Sequence, residues 1–203
     1  MITRTAFAAL AIALTACGQQ GATPQEMPKN EPTLPGPEDM PGPEDMPGPD
    51  EGVYPSMMTA SATLIGSEGN EIGTANFLDG PNGEVIRIEL NPDSLSPGWH
   101  GLHLHAVGTC EDVGEFKESG GHHGKVEGAH GLLNPKGPEA GDLPNIWVAA
   151  DGSAGYEAFT PLTALDSLLD EDGSAIIIHA QEDDHLTQPI GGAGARVACG
   201  VIQ

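Results

Sequence analysis

From residue 56 onward the chain consists of short strand-like segments that are separated by turn signals. Small or apolar residues alternate with polar ones over 58–64, and apolar runs follow at 85–90, 102–107, 146–149, 175–180 and 196–202. The intervening turn sequences are Asp79-Gly80-Pro81-Asn82-Gly83, Asn91-Pro92-Asp93, Asp151-Gly152 and Asp172-Gly173. Many short strands with frequent turns predict an all-β sandwich or barrel, with a short helix only around residues 162–169.

The N-terminus predicts export. Arg4 precedes an apolar stretch at 6–14 that is too short to span a bilayer, which is typical of a signal peptide over residues 1–16. The sequence Leu14-Thr15-Ala16-Cys17 resembles the bacterial lipoprotein signal, in which Cys17 becomes the lipid-modified first residue and attaches the chain to a membrane. An ordinary secretory signal that ends near a cysteine is the alternative interpretation.

Residues 17–55 differ in composition from the rest of the chain. The hexapeptide Pro35-Gly36-Pro37-Glu38-Asp39-Met40 is repeated at 41–46 and then decays. Closely spaced prolines block helices and sheets, and the carboxylates repel one another, so we expect an extended, disordered linker. The folded domain is predicted to cover residues 56–203.

The charge balance excludes one class of partner. Lys and Arg number 7 against 30 Asp and Glu, which gives a formal net charge of −23. So acidic a chain repels nucleic acid and anionic lipid headgroups. We therefore expect no nucleic-acid partner.

The eight histidines all lie between residues 100 and 185. His103 and His105 alternate on a predicted strand, so both imidazoles point to the same face. A glycine-rich stretch over 120–142 and the end of the apolar run 176–178 supply further metal-binding side chains, namely His122, His123, His130, Glu139, Asp142 and His179. Imidazole and carboxylate ligands together suit zinc, so the pattern predicts a metal site.

Four segments in the same order resemble the copper–zinc superoxide dismutase family. They are His100–Cys110, Gly137–Asn145, Asp183-Asp184 with Gln188-Pro189, and Gly192–Ile202. The resemblance implies an eight-stranded Greek-key β-barrel with two long metal-binding loops. It also implies that one redox-cycling copper per chain, beside one zinc, dismutates superoxide to oxygen and hydrogen peroxide. Bacterial members of the family are monomers or homodimers.

The same resemblance implies a role for individual residues. His103, His105, His122 and His179 would bind copper, and His122, His130 and Asp142 would bind zinc, so that His122 bridges the metals. Arg196 would guide the superoxide anion, Asp183 would link ligands of the two metals, and His100 would be structural. Cys110 and Cys199 would form a disulfide. With Cys17 lipidated, this pairing accounts for the odd cysteine count of an exported protein in the periplasm or cell envelope of a bacterium.

Position 139 departs from the family pattern, because Glu139 stands where the third zinc histidine is expected. Glutamate binds zinc through oxygen at a similar distance, so Glu139 is a candidate ligand. Weak zinc binding and substitution by His123 are the alternatives. Two other functions also remain open, a non-catalytic periplasmic copper/zinc-binding lipoprotein with the same fold and a structural lipoprotein for adhesion. A metal buffer has no need of Arg196, which favours the enzyme.

Overall fold

Strands form where small or apolar side chains alternate with polar ones along the chain. The computed structural model describes residues 58–203. Its elements are β1 (Thr59–Gly66), β2 (Glu71–Gly80), β3 (Gly83–Leu90), β4 (Gly98–His105), a 3-10 turn (Lys117–Ser119), β5 (Asp142–Val148), β6 (Ala154–Thr160), α1 (Leu165–Leu168), β7 (Ala175–His179) and β8 (Arg196–Val201). The predicted signal peptide, the lipidated Cys17 and the linker lie outside the described residues.

The eight strands follow the order β5-β4-β7-β8-β1-β2-β3-β6, and every neighbouring pair is antiparallel. Strands β5 and β6 end this order and lie side by side, and the Tyr156 hydroxyl donates to the Pro144 carbonyl across them at 3.1 Å. The pairs β4–β7 and β8–β1 join strands that are distant in sequence, which is typical of Greek-key connections. The predicted all-β, eight-stranded Greek-key barrel is confirmed.

Turns lie where the sequence predicts them. Gly80 pairs with Gly83, so Pro81 and Asn82 form a two-residue hairpin between β2 and β3. Gly83 has a φ of 139°, a conformation that favours glycine. Strands β2 and β6 were not predicted. Helix α1 lies inside the predicted range, and no helix in the described part of the chain is long and apolar enough to cross a membrane.

The barrel interior is filled by aliphatic side chains and Phe77. Leu102 and Leu104 of β4 and Ile176 and Ile178 of β7 are fully buried there. Burying such a side chain contributes about 1.5–3 kcal/mol. His103 and His105 alternate with these two leucines along β4, so their side chains lie on the outer face of the barrel.

Two long loops cover that outer face, the first loop (residues 106–141) between β4 and β5 and the second loop (residues 180–195) between β7 and β8. A small apolar cluster under the first loop contains Phe116 and Ile177. The disulfide between Cys110 and Cys199 belongs to this cluster and ties the first loop to β8. Such bonds are typical of proteins outside the reducing cytosol.

Candidate metal centre

Backbone contacts fix the first loop against β4. The Leu104 N–H donates to Gly141 O, and His123 N–H donates to Leu104 O, both at 2.8 Å. A Cβ at position 141 would overlap Leu104 O, so glycine allows this close approach. These contacts align His122 beside His105, with which it forms an isolated bridge pair.

Four buried imidazoles share one unusual feature, which is a ring nitrogen without any hydrogen-bond partner. Within residues 58–203, eight buried side-chain polar atoms have no partner, and four of them are Nδ1 of His103 and Nε2 of His105, His122 and His179. A buried polar atom left unpaired costs about 1–3 kcal/mol. Four such atoms in adjacent rings are therefore explained by a ligand that they share.

The opposite nitrogen of each ring determines its tautomer. His105 Nδ1–H donates to Gly120 O at 3.0 Å, and His179 Nδ1–H donates to Gly194 O at 3.1 Å. Because a carbonyl only accepts, the other nitrogen of each neutral ring carries a lone pair. His103 Nε2 contacts Asp183 Oδ2 at 2.7 Å, which leaves Nδ1 free in the same way. Metal-binding histidines in proteins show this arrangement, so the four rings fit a copper ion.

A second group of donors lies on the other side of His122. Its Nδ1 is 2.9 Å from Glu139 Oε2 and 3.1 Å from Asp142 Oδ1. His130 Nδ1 is 2.8 Å from the same Asp142 oxygen. Donors in a tetrahedral zinc site are roughly 3.3 Å apart, given bond lengths of about 2.0–2.1 Å. The four residues therefore fit a zinc ion.

Grouping donors by distance alone gives a slightly different division. Donor atoms of His103, His122, His130 and Asp142 lie within 4.8 Å of one another, as do those of His103, His105 and His179. His103 belongs to both groups by distance, but its Nδ1 lacks a partner, as does one nitrogen in each of the other copper-side rings. Glu139 is in neither group by this criterion, and its Oε2 lies beside the second group, 2.9 Å from His122 Nδ1.

Asp183 joins the two groups. Its carboxylate accepts from His103 Nε2 at 2.7 Å and contacts His130 Nε2 at 3.3 Å. Gly191 makes room for this side chain, since a Cβ there would overlap Asp183 Oδ1. Asn145 holds the backbone of Asp183 with two hydrogen bonds, from Nδ2 to Asp183 O at 2.9 Å and from Asp183 N–H to Oδ1 at 3.0 Å.

Burial and charge set the protonation of these groups. Burial lowers the pKa of His103 to about 4, of His105 to about 2 and of His179 to about 3, so these rings are neutral at pH 7. Burial alone would lower the pKa of His130, but hydrogen bonds to Asp142 and Asp183 raise it to about 10. Burial opposes ionisation of both aspartates, yet their hydrogen bonds to histidines hold each pKa below its usual range.

Arg196, at the start of β8, reaches over the first loop. Its Nη1 donates to Phe116 O and, at 3.0 Å, to Ser119 Oγ, while its Nη2 donates to Gly120 O at 2.8 Å. Gly120 O also accepts from His105, so the guanidinium is tied to the same backbone group as a copper-side ring. A half-buried, permanent positive charge is thereby fixed beside the imidazoles.

The structure places the predicted metal-binding residues next to one another, with Glu139 joined to them through His122. The structural His100 is buried apart from them, with its ring nitrogens facing His179 O and Ser96 O. Neither His123 nor Glu139 belongs to the two groups formed by distance, but Glu139 Oε2 lies 2.9 Å from His122 Nδ1. Sequence reasoning missed Asn145 and Ser119, because neither side chain carries a metal-binding signature by itself.

Comparisons with known proteins agree with this geometry. Residues 71–202 match the family model described as copper/zinc superoxide dismutase (SODC). The superoxide dismutase (Cu-Zn) of Caulobacter vibrioides is 47% identical over 152 residues, covering 71% of this chain and 86% of that protein. Superoxide dismutase (Cu-Zn) 2 of Aquifex aeolicus is 39% identical over 152 residues, covering 72% of this chain and 87% of that protein.

Solved structures show the same similarity. A SOD-like protein from Bacillus subtilis has a TM-score of 0.62 and 39% identity, over 70% of this chain and 97% of that chain. The Cu/Zn superoxide dismutase from Brucella abortus has a TM-score of 0.59 and 28% identity, over 72% of this chain and 100% of that chain. With eight antiparallel strands, two adjoining groups of buried donors and these matches, the chain belongs to the copper/zinc superoxide dismutase family.

Proposed function

We propose that this chain dismutates superoxide to oxygen and hydrogen peroxide at a copper ion held by His103, His105, His122 and His179. His122, His130, Glu139 and Asp142 would hold zinc beside it. The observation that carries the proposal is the set of four buried ring nitrogens without partners next to a fixed guanidinium. All these residues belong to one chain.

His122 occupies the position between the two donor groups. Its Nδ1 faces Glu139 and Asp142, and its Nε2 is free on the copper side. Bound copper would supply one-electron redox chemistry, whereas zinc has none. Two superoxide anions and two protons give one oxygen and one hydrogen peroxide. His122 Nε2 is the atom on which the chain can hold one of the two protons that hydrogen peroxide requires.

Arg196 binds and orients the substrate anion. An arginine carries five N–H donors, and the contacts to Phe116, Ser119 and Gly120 account for three of them. The remaining donors are available to an anion. In a chain with a net charge of −23, a local positive charge is needed to counter the repulsive field near the site. A non-catalytic metal-binding protein has no use for this group.

Replacing Arg196 by glutamine is expected to slow superoxide decay roughly tenfold or more while copper affinity stays unchanged, because the anion loses its docking charge. Arg87→Gln is the matched control. Arg87 is exposed on β3 and pairs with Glu157, so this variant loses the same charge away from the site. Both variants would be measured by pulse radiolysis at equal copper content. An equal loss in both would assign the effect to net charge instead of to Arg196.

The function itself is tested by superoxide decay after pulse radiolysis, with the full chain loaded with one copper and one zinc. We expect decay that is first order in superoxide and proportional to the copper content. The metal-free chain should leave only spontaneous decay. If the loaded chain binds copper tightly and still leaves only spontaneous decay, the non-catalytic copper/zinc-binding function takes the place of this proposal.

We also propose that the chain is exported and anchored by lipid on Cys17 in the cell envelope. The sequence before Cys17 and the disulfide on the folded domain support this location. Mass spectrometry of the mature N-terminus tests it directly. A diacylglyceryl group on Cys17 is expected, and an unmodified N-terminus elsewhere would replace the lipoprotein interpretation by that of an ordinary secreted protein.

A further inference from the structure

The two donor groups differ in charge and in chemical softness. The copper side offers four unpartnered imidazole nitrogens, from His103, His105, His122 and His179. The other side offers two imidazoles and two carboxylates, Glu139 and Asp142. Both carboxylates are buried, with 3% and 2% exposure. His122 is shared, so the difference rests on the two carboxylates, of which Glu139 is one.

Backbone hydrogen bonds hold Glu139 as a ligand would be held. Its Oε1 accepts from the Val126 N–H at 3.0 Å, which turns Oε2 toward His122 Nδ1. The Glu139 N–H donates to Asp142 Oδ2 at 2.9 Å, and Gly131 N–H donates to the same oxygen at 2.7 Å. Each carboxylate therefore keeps one oxygen on the backbone and presents the other to the metal position.

We infer, building on the proposed function, that Glu139 makes this second site selective against copper(I). Two carboxylates balance the charge of a divalent ion, whereas a monovalent ion would leave one buried negative charge uncompensated. Carboxylate oxygen is also a hard donor, and copper(I) prefers soft ligands. The four-imidazole group carries neither penalty. Asp183 contacts histidines of both groups, so it does not distinguish them.

The selectivity concerns only the reduced ion. Copper(II) binds most nitrogen and oxygen sites more tightly than zinc does, and it has the same charge as zinc. Glu139 therefore keeps the second site for a divalent ion wherever copper is supplied as copper(I). A histidine at position 139 would remove one negative charge and add a nitrogen donor, and both changes favour copper(I).

The test is an anaerobic titration of the metal-free full chain with chelator-buffered copper(I), with the disulfide kept intact. The wild type is expected to bind one copper(I) per chain tightly. Its second copper(I) should bind roughly 10- to 1,000-fold more weakly than the second copper(I) of Glu139→His, because one neighbouring charge shifts the proton affinity of a buried group over a similar range. Glu127→His is the matched control, because Glu127 is exposed on the same loop and its variant should bind like the wild type.

Two results would overturn the inference. One is that the wild type binds two copper(I) ions with affinities within tenfold of each other. This result is measured on the wild type alone, so it does not depend on whether Glu139→His folds. The other is an unchanged zinc affinity in Glu139→Gln, for which we expect a loss of roughly 10- to 100-fold or more. If the proposed function were wrong, the experiments would give other results, namely no tight first copper site or no superoxide decay above the spontaneous rate.

Discussion

Replacing His105 by alanine is expected to lower copper affinity at least about 100-fold and to reduce superoxide decay to the spontaneous rate. Even residues that merely support a ligand are worth 10- to 100-fold in metal affinity, so the loss of a ligand itself should exceed that range. His105 is the cleanest of the four rings to remove. Its two polar partners, Gly120 O and Ser119 Oγ, both keep a donor from Arg196, at 2.8 and 3.0 Å.

The matched control for that variant is His123→Ala. His123 is a half-buried histidine on the first loop that belongs to neither donor group. Copper affinity, measured by chelator competition, and superoxide decay should both stay at the wild-type level in the control. Copper affinity of His105→Ala within tenfold of the wild type would contradict the assignment of His105 as a ligand.

The metal-free chain should be most stable near pH 6.5 and lose stability steeply in acid. Burial lowers the pKa of His103, His105 and His179 to about 4, 2 and 3, whereas an unfolded histidine titrates near 6.5. Between pH 6.5 and about 4 the unfolded chain therefore binds up to three protons that the native state does not. The free energy of unfolding falls by up to about 4 kcal/mol per pH unit.

On the alkaline side the sign reverses for His130, whose pKa is raised to about 10 by its carboxylate partners despite burial. Its contribution is complete below pH 6.5 and is lost as pH rises toward 10, at about 1.4 kcal/mol per unit. Urea denaturation of the metal-free, disulfide-bonded chain at several pH values between 5 and 9.5 measures both slopes. His105→Ala should remove about a third of the acid slope. A flat profile below pH 6.5 would contradict the prediction.

The sequence predicts the fold class well and individual strands less well. Strand β2 was missed because its buried positions include Gly73 and Ala75, which weaken the apolar alternation. In β6 the inward residues Ala154 and Ala158 are small and only half-buried, so its pattern is equally faint. Such strands form because the neighbouring strands β1 and β3 supply backbone groups with which they form hydrogen bonds. That pairing depends on tertiary structure and is not visible in the local sequence.

The candidate site could also be predicted only in part. The shared face of His103 and His105 follows from strand geometry and could be predicted locally. The approach of His122 to His105 depends on Gly141 and on the path of the first loop, which a spacing of residues does not reveal. Asn145 escaped prediction because its role is two hydrogen bonds to the backbone of Asp183.

Strand β4 carries core and metal ligands on alternate residues, and this has a consequence for the interpretation of natural variants. Leu102 and Leu104 hold the strand in register, and a slip by one residue would exchange the core face with the ligand face. Side chains that never touch a metal thus determine where His103 and His105 lie. A loss of metal in a variant protein can therefore originate in the middle of the hydrophobic barrel, and a screen confined to the ligands would overlook it.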